Sequence, residues 1–332
     1  TGRDFRRIRL PQQGRAAEVV AGGGVMLAAL LNRLERDGYS GLERALAEIP
    51  EKVEAVAERS GLDEAECFGL SCAQQWNRCR QSIEKESYLI GPAASADPSS
   101  LTEFTLLEND PYGVLEGMLI AGYAAGASHG ILYVDSRRPV ALLRLKKALN
   151  QMQAAGYIGS GIQGSGFNFR IEVLPAPGPL PCGEVYRLIP ALEGRRPDGC
   201  PGFQDSKMPL LHGRPVAIHS VEILAKLPAI LSKGADWYAG LGIGDQKGTK
   251  VVTLTGCIRQ PGLAEVPLGI SLREIIDDIG GGVPEGEVFK AVQVGGPTGG
   301  WFSTEDLDAP LNCEALAATG PRLGCGSLVI VT

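Results

Sequence analysis

One short stretch, Gly61–Arg80 (GLDEAECFGLSCAQQWNRCR), crowds three acids, three cysteines and a tryptophan together. Thiolates are soft ligands that suit zinc or iron–sulfur chemistry. The spacing Cys67-x4-Cys72-x6-Cys79, however, matches no common zinc or cluster motif, so buried reduced thiols are the ordinary reading. A second candidate is Glu184, a lone carboxylate behind Cys182 and Gly183. The same residue also suits a plain helix N-terminus, where the dipole favours an acid. The three histidines, 129, 212 and 219, are scattered without a helical His-x3-His pair. Gly22-Gly23-Gly24 precedes an apolar segment, Val25–Leu34, read as a helix; a glycine run there could cradle phosphate. It lacks the G-x-G-x-x-G spacing and no clear strand feeds it, which makes it a loop. No G-x-S-x-G elbow, Walker loop or kinase signature occurs. From residue chemistry alone, no active site is evident.

The elements that would have to position these residues are clearer. Asn109-Asp110-Pro111 is helix-start chemistry, with Asp110 as cap and Pro111 at the first helical position. Val114, Leu115, Met118, Leu119 and Tyr123 then follow near helical spacing. Gly117, Ala121, Gly122, Ala124 and Ala125 let another backbone come close. The strand Ile131–Val134 follows at once. Tyr39–Ser60 holds one or two amphipathic helices, Tyr88–Ile90 is a strand, and the loop from Gly91 to Ser100 offers little chemistry. Pro139–Ala155 is a basic amphipathic helix with a solvated face. Gly156–Gly166 is glycine-rich and leads to a strand over Phe167–Leu174. Val185–Leu192 and His219–Leu231 read as helices on either side of a long connection over 194–215. Near residue 245 the texture changes to a hairpin (Lys250–Gly256, then Ala264–Val266), a short helix Ser271–Ile279, and strands at Phe289–Val294 and Leu328–Val331. The expected fold is therefore α/β: an arm and helix over 1–37, an α/β domain over 38–245, and a β-grasp-like domain over 246–332.

At 332 residues the soft expectation is about two domains. A net charge of −6 without a long basic run excludes a nucleic-acid partner, because phosphate neutralisation supplies most of such affinity. No apolar run approaches the roughly 20 residues of a membrane span. The basic N-terminal stretch has no apolar signal core directly behind it. Eight cysteines without a paired framework fit reduced thiols, so a cytoplasmic setting, peripheral at most to a membrane complex, is expected.

Nine blocks occur in one order: ENDP-x3-LEGMLIAGYA, GSGFNF, CGE, LEG, GRP-x4-SVE, GTK-x5-G, PG-x2-E, LRE and AVQVGGPTGG. Together, over roughly residues 38–331, the chain resembles the FMN- and NADH-binding flavoprotein subunit of respiratory complex I. It is also similar to that subunit's relatives in NAD-linked hydrogenases and formate dehydrogenases. The resemblance implies a Rossmann-like flavin domain followed by a β-grasp domain. Members of that family continue into a C-terminal helical bundle with an iron–sulfur motif, whereas the sequence here stops at Thr332, before that bundle. The cofactor pocket would include Gly69, Trp76, Gly183, Glu184 and His219.

The departures from the family pattern fall in that pocket. The family grips flavin with a glycine-rich loop ending in Lys-Trp. Here only Gly69 and Trp76 remain from it; the other glycine positions carry Glu64, Glu66, Cys67 and Ala73, and the lysine position carries Gln75. Glycine is needed where backbone must approach a ligand without a Cβ. A carboxylate about 6 Å from a phosphate charge costs on the order of 3 kcal/mol at an effective dielectric near 20. The ring-binding loop is replaced by Pro92–Leu101, the second Glu of the third motif is Val185, and paired asparagines are His219 and Ser220. The expected function is thus a structural or docking subunit of a redox complex that has lost FMN and NADH, with iron–sulfur subunits as partners. Two alternatives remain. One is an active NADH:acceptor subunit using FMN, holding phosphate through Gly22–Gly24, Arg80 or His219. The other is a metal or cluster relay through Cys67, Cys72, Cys79 and Cys182. The arm over 1–16 and the β-grasp domain are the expected contact surfaces.

Overall fold

The computed structural model describes residues 38–62, 70–83, 86–180, 187–195, 209–312, 323–324 and 326–332, together with the backbone of 6–9 and 16–21. The Gly22–Gly24 loop and the Val25–Leu34 helix expected from the sequence lie outside the described residues. So do Cys67, Gly69, Cys182, Gly183 and Glu184. The elements run β1 (Arg6–Arg9), β2 (Ala16–Ala21), α1 (Ser40–Leu46), α2 (Pro50–Ser60), α3 (Cys72–Gln81), β3 (Tyr88–Ala93), α4 (Thr102–Asn109), α5 (Pro111–Ala125), β4 (His129–Asp135), α6 (Pro139–Ala154) and β5 (Arg170–Ala176). They continue with α7 (Leu188–Leu192), β6 (Leu210–Leu211), β7 (Arg214–Ile218), α8 (Val221–Lys233), β8 (Thr249–Gly256), β9 (Gly262–Pro267), α9 (Leu272–Glu274), β10 (Ala291–Val294), β11 (Gly300–Phe302) and β12 (Ser327–Val331). Two compact units result, Arg33–Ala96 with Leu106–Trp237, and Thr1–Asn32 with Asp97–Thr105 and Tyr238–Thr332. Asp97–Thr105 clusters with the later unit.

The first unit is a Rossmann-like α/β layer structure. Its five-stranded sheet has the order β5-β4-β3-β7-β6. The four long strands are parallel, and β6 pairs antiparallel with β7. Apart from the partly covered His129 that opens it, β4 is buried along its whole length, as expected where a parallel sheet is covered on both faces. Helix α5 begins as its sequence dictates: Asp110 Oδ1 accepts the Gly113 N–H at 2.9 Å and Pro111 takes the first turn. It ends at Gly126 in the left-handed region, φ 65°.

The small face of α5 has a definite purpose. A Cβ on Gly117 would lie 1.7 Å from the Leu224 carbonyl oxygen of α8, and one on Gly122 would lie 2.5 Å from the Phe169 ring. Pro228, inside α8, carries no N–H and cannot satisfy Leu224 O four residues back. The carbonyl left over by the proline is the atom that Gly117 accommodates.

Two expectations change. The span 194–215 is not merely a connection: its described part contains the β6–β7 hairpin, and β7 is the fourth parallel strand. The N-terminal arm contributes β1 and β2, which pair with each other and then with β9.

The second unit is the β-grasp. Its sheet order is β1-β2-β9-β8-β12-β10-β11. Hairpin β8–β9 comes first, then the short helix, then three strands. The last strand, β12, inserts beside β8 and runs parallel to it. Ser271 and Glu274 form a capping box at α9, and Leu272, Ile275, Ile276 and Ile279 fill the core against Val252, Leu254, Leu328 and Ile330.

Candidate functional site at the strand ends

In the α/β unit the chain builds β3, β4 and β5 in one direction across the sheet, then returns to the opposite side of β3 for β7. Ligands of open α/β sheets bind at such a reversal, outside the carboxyl ends of the strands. Here the reversal lies between β3 and β7. Ile90 pairs with Ile218 at its edge, and the His219 N–H donates to Ile90 O at 3.0 Å, extending the pairing by one residue. His219 therefore belongs to the strand end rather than to the helix expected to begin there. Ser220 is the cap of α8, its Oγ accepting from the Ile223 N–H at 3.3 Å.

Helix α3 supplies the opposing side chains. It opens with a capping box, Ser71 Oγ accepting the Gln74 N–H at 3.2 Å and Gln74 Oε1 accepting the Ser71 N–H at 3.1 Å. The helix then turns Cys72, Gln75, Trp76 and Cys79 inward. Trp76 Nε1 donates to His219 Nε2 at 2.7 Å, the rings edge-on at 90°, and both residues are 0% exposed. Indole nitrogen is a donor only, so Nε2 must be the unprotonated nitrogen and the imidazole carries its proton on Nδ1. Gln75 acts beside it: Oε1 accepts from the Ile218 N–H at 2.9 Å, and Nε2 donates to Leu70 O at 3.4 Å. Thus Trp76 and His219, named separately from the sequence, meet. Gln75 joins them by binding the end of β7.

Other candidates are placed elsewhere. Arg80, an expected phosphate holder, pairs with Glu54 and with Glu51 at 3.5 Å and donates to Ala124 O near the end of α5. Because α5 runs against the strands, that carbonyl lies toward their amino ends, away from the crevice. Cys72 and Cys79 are seven residues apart on one helix, about 10.5 Å along its axis. Such a pair does not converge on one ion. Burial pushes the Cys79 thiol from 9.0 up to about 12, only partly opposed by Arg80, so it is a protonated, unreactive thiol at neutral pH. Among the described residues no three His, Cys, Asp or Glu side chains are grouped to hold a metal ion. Among them, too, no helix is long and apolar enough to cross a membrane.

Within the β-grasp unit the structure reveals a carboxylate that the sequence did not single out. Asp97 is 3% exposed. It accepts from Ser327 Oγ at 2.5 Å and from the Ser99 N–H at 2.9 Å. A Cβ on Gly296 would lie 2.3 Å from its Oδ2. The Leu101 N–H donates to Thr253 Oγ1 at 3.2 Å, fastening the same loop to β8. The loop is a structural clasp on the AVQVGGPTGG segment.

A parallel sheet reversing between β3 and β7, followed by a β-grasp, defines a Rossmann-like flavoprotein-type subunit. Residues 58–228 match the Nuo51 FMN-binding domain. The chain is 41% identical over 299 residues to the NADP-reducing hydrogenase subunit HndC of Solidesulfovibrio fructosivorans, covering 89% of this chain and 60% of that one. It is 35% identical over 294 residues to an NADH-quinone oxidoreductase subunit of Streptomyces coelicolor, covering 88% and 65%. It is 32% identical over 297 residues to an NADH-quinone oxidoreductase subunit of Rhizobium meliloti, covering 89% and 70%. Among solved structures, a chain of the H2-reduced NAD+-reducing NiFe-hydrogenase superimposes with TM-score 0.77 at 28% identity, covering 92% of this chain and 50% of that one. The chain belongs to the Nuo51 family, which joins these NADH-quinone oxidoreductase subunits to their hydrogenase relatives. It spans 60 to 65% of the length of the first two curated relatives.

Proposed function

We propose that the chain is a structural, docking subunit of a multi-subunit redox complex of the NADH dehydrogenase, hydrogenase or formate dehydrogenase kind, and that it has given up FMN and NADH. The observation that carries this reading is the inward commitment of the strand-end side chains. A bound flavin phosphate needs several donors and positive charge. At the lysine position stands Gln75, which uses both ends of its amide on the backbone. At an asparagine position stands His219, whose Nε2 is taken by Trp76. Arg80 is held by two acids. These commitments support the loss of FMN, and Glu64 and Glu66 in the sequence add charge of the wrong sign. The partners on this reading are other subunits of the complex, iron–sulfur proteins among them, in a cytoplasmic setting.

The purified full chain, incubated with excess FMN and desalted, is expected to release no flavin on heating and to give no heat with NADH in calorimetry. Stoichiometric flavin would overturn the reading. The alternative, an NADH:acceptor subunit using FMN, is favoured by one feature: α8 still starts at the crevice, and a helix N-terminus suits an anion. NADH-dependent dye reduction abolished by Glu184→Gln would establish it. A relay through Cys67, Cys72, Cys79 and Cys182 would require iron or zinc in elemental analysis, and the spacing of Cys72 and Cys79 on one helix weighs against it.

A further inference from the structure

From Ser136 to Ile171 the sequence holds six cations, Arg137, Arg138, Arg144, Lys146, Lys147 and Arg170, and no Asp or Glu, in a chain of net charge −6. Helix α6 takes up Pro139–Ala154 of this segment. Its buried face, Ala141, Leu145, Ala148 and Met152, packs inward. Its outer face is unusual for a solvated helix. Val140 is 46% exposed and Leu143 70% exposed. Val140, Leu143, Arg144, Lys147 and Gln151 follow one another at helical spacing, so the two apolar side chains and two of the cations form one stripe. Lys146 flanks it, and Arg170 is exposed on the adjacent edge strand β5. Arg137 is held by Asp135 at 2.7 Å and adds little net charge. Arg144 donates to the Glu108 carbonyl oxygen, which leaves its charge uncompensated by any carboxylate in that contact.

We infer that the outer face of α6 is a docking surface for an acidic face of another subunit of the complex. Val140 and Leu143 form the apolar centre, and Arg144, Lys146 and Lys147 the charged rim. The charge pattern selects this occupant. An apolar centre with a one-sign rim is complementary to a surface of the opposite sign, and such complementarity sets orientation and excludes like-charged partners. The inference rests on the chain being a subunit of a complex.

The test is made on the complex isolated through a tag on this chain, treated with a zero-length carboxylate–amine cross-linker. Cross-links from Lys146 and Lys147 to Asp or Glu of a different subunit are expected. Leu143→Asp with Lys147→Glu is expected to weaken retention of that subunit at least about tenfold, with the melting temperature of the free chain unchanged; Lys147→Glu alone should raise the salt sensitivity of retention. Co-purified subunits with Lys146 and Lys147 still freely reactive would overturn the inference while leaving membership of a complex intact. Absence of any co-purifying subunit would overturn both. Cross-links to a second copy of this chain, or binding of the free chain to phosphatidylserine vesicles lost in the same variants, would overturn it as well.

Discussion

The indole N–H of Trp76 meets Nε2 of His219 across 2.7 Å in the fully buried interior, joining α3 to the end of β7. Trp76→Phe removes the donor and leaves a buried acceptor without it, at an expected cost of about 1–3 kcal/mol. A double-mutant cycle with His219→Leu, read by urea unfolding, should show coupling of at least about 0.5 kcal/mol. Additive single effects would mean that the bond contributes nothing specific.

The contact of Gly117 with the Leu224 carbonyl leaves no space for a methyl group. Gly117→Ala is expected to destabilise by about 1–3 kcal/mol through overpacking. Gly166→Ala, where an added Cβ meets nothing within 4 Å, is the control and should be close to neutral. Thermal melts of the two variants check the difference.

Alkaline stability follows from the buried thiol. Below its ordinary value of 9.0, Cys79 is protonated whether the chain is folded or not, and its contribution is complete. Between 9.0 and about 12 only the unfolded chain loses the proton, so stability falls as pH rises. Tyr39, raised from 10.0 to about 12 by burial with Glu116 nearby, adds the same trend from pH 10 upward. Cys79→Ala should flatten the decline between pH 9 and 10 in denaturant titrations. An unchanged slope there would remove Cys79 as its source.

The Asp97 clasp gives a local prediction. Asp97→Ala removes the acceptor of Ser327 Oγ and of the Ser99 N–H. A loss of about 1–3 kcal/mol is expected. Amide exchange in Ser327–Val331 should accelerate, while exchange in β4 should not.

What the sequence made legible was largely local. Asp110-Pro111 announces α5 because capping depends on residues three apart. The small face of α5 likewise announces a close neighbour, though not that it would be the Leu224 carbonyl left over by Pro228. The Ser71-x-x-Gln74 box was equally local, yet cysteines on both sides draw the eye to metal chemistry. Strand β7 is harder, since Arg-Pro-Val-Ala-Ile is short and becomes a strand only by pairing with β3. The arginine-rich β1 is defined in the same way, by its partner. The site itself rests on long-range meetings: Trp76 with His219 is separated by 143 residues, and Asp97 with Ser327 by 230. No spacing rule reaches across such distances.

The placement of β12 has a consequence for how the protein is made. It follows every other strand of its sheet in sequence, yet it lies between β8 and β10. During synthesis, β8–β9 and β10–β11 emerge first as separate hairpins, each with an open edge awaiting the same five residues. The ribosome must deliver Ser327–Val331 before the sheet can close. Until then those edges are the part of the nascent chain most open to wrong pairing, and the part a chaperone has most reason to cover.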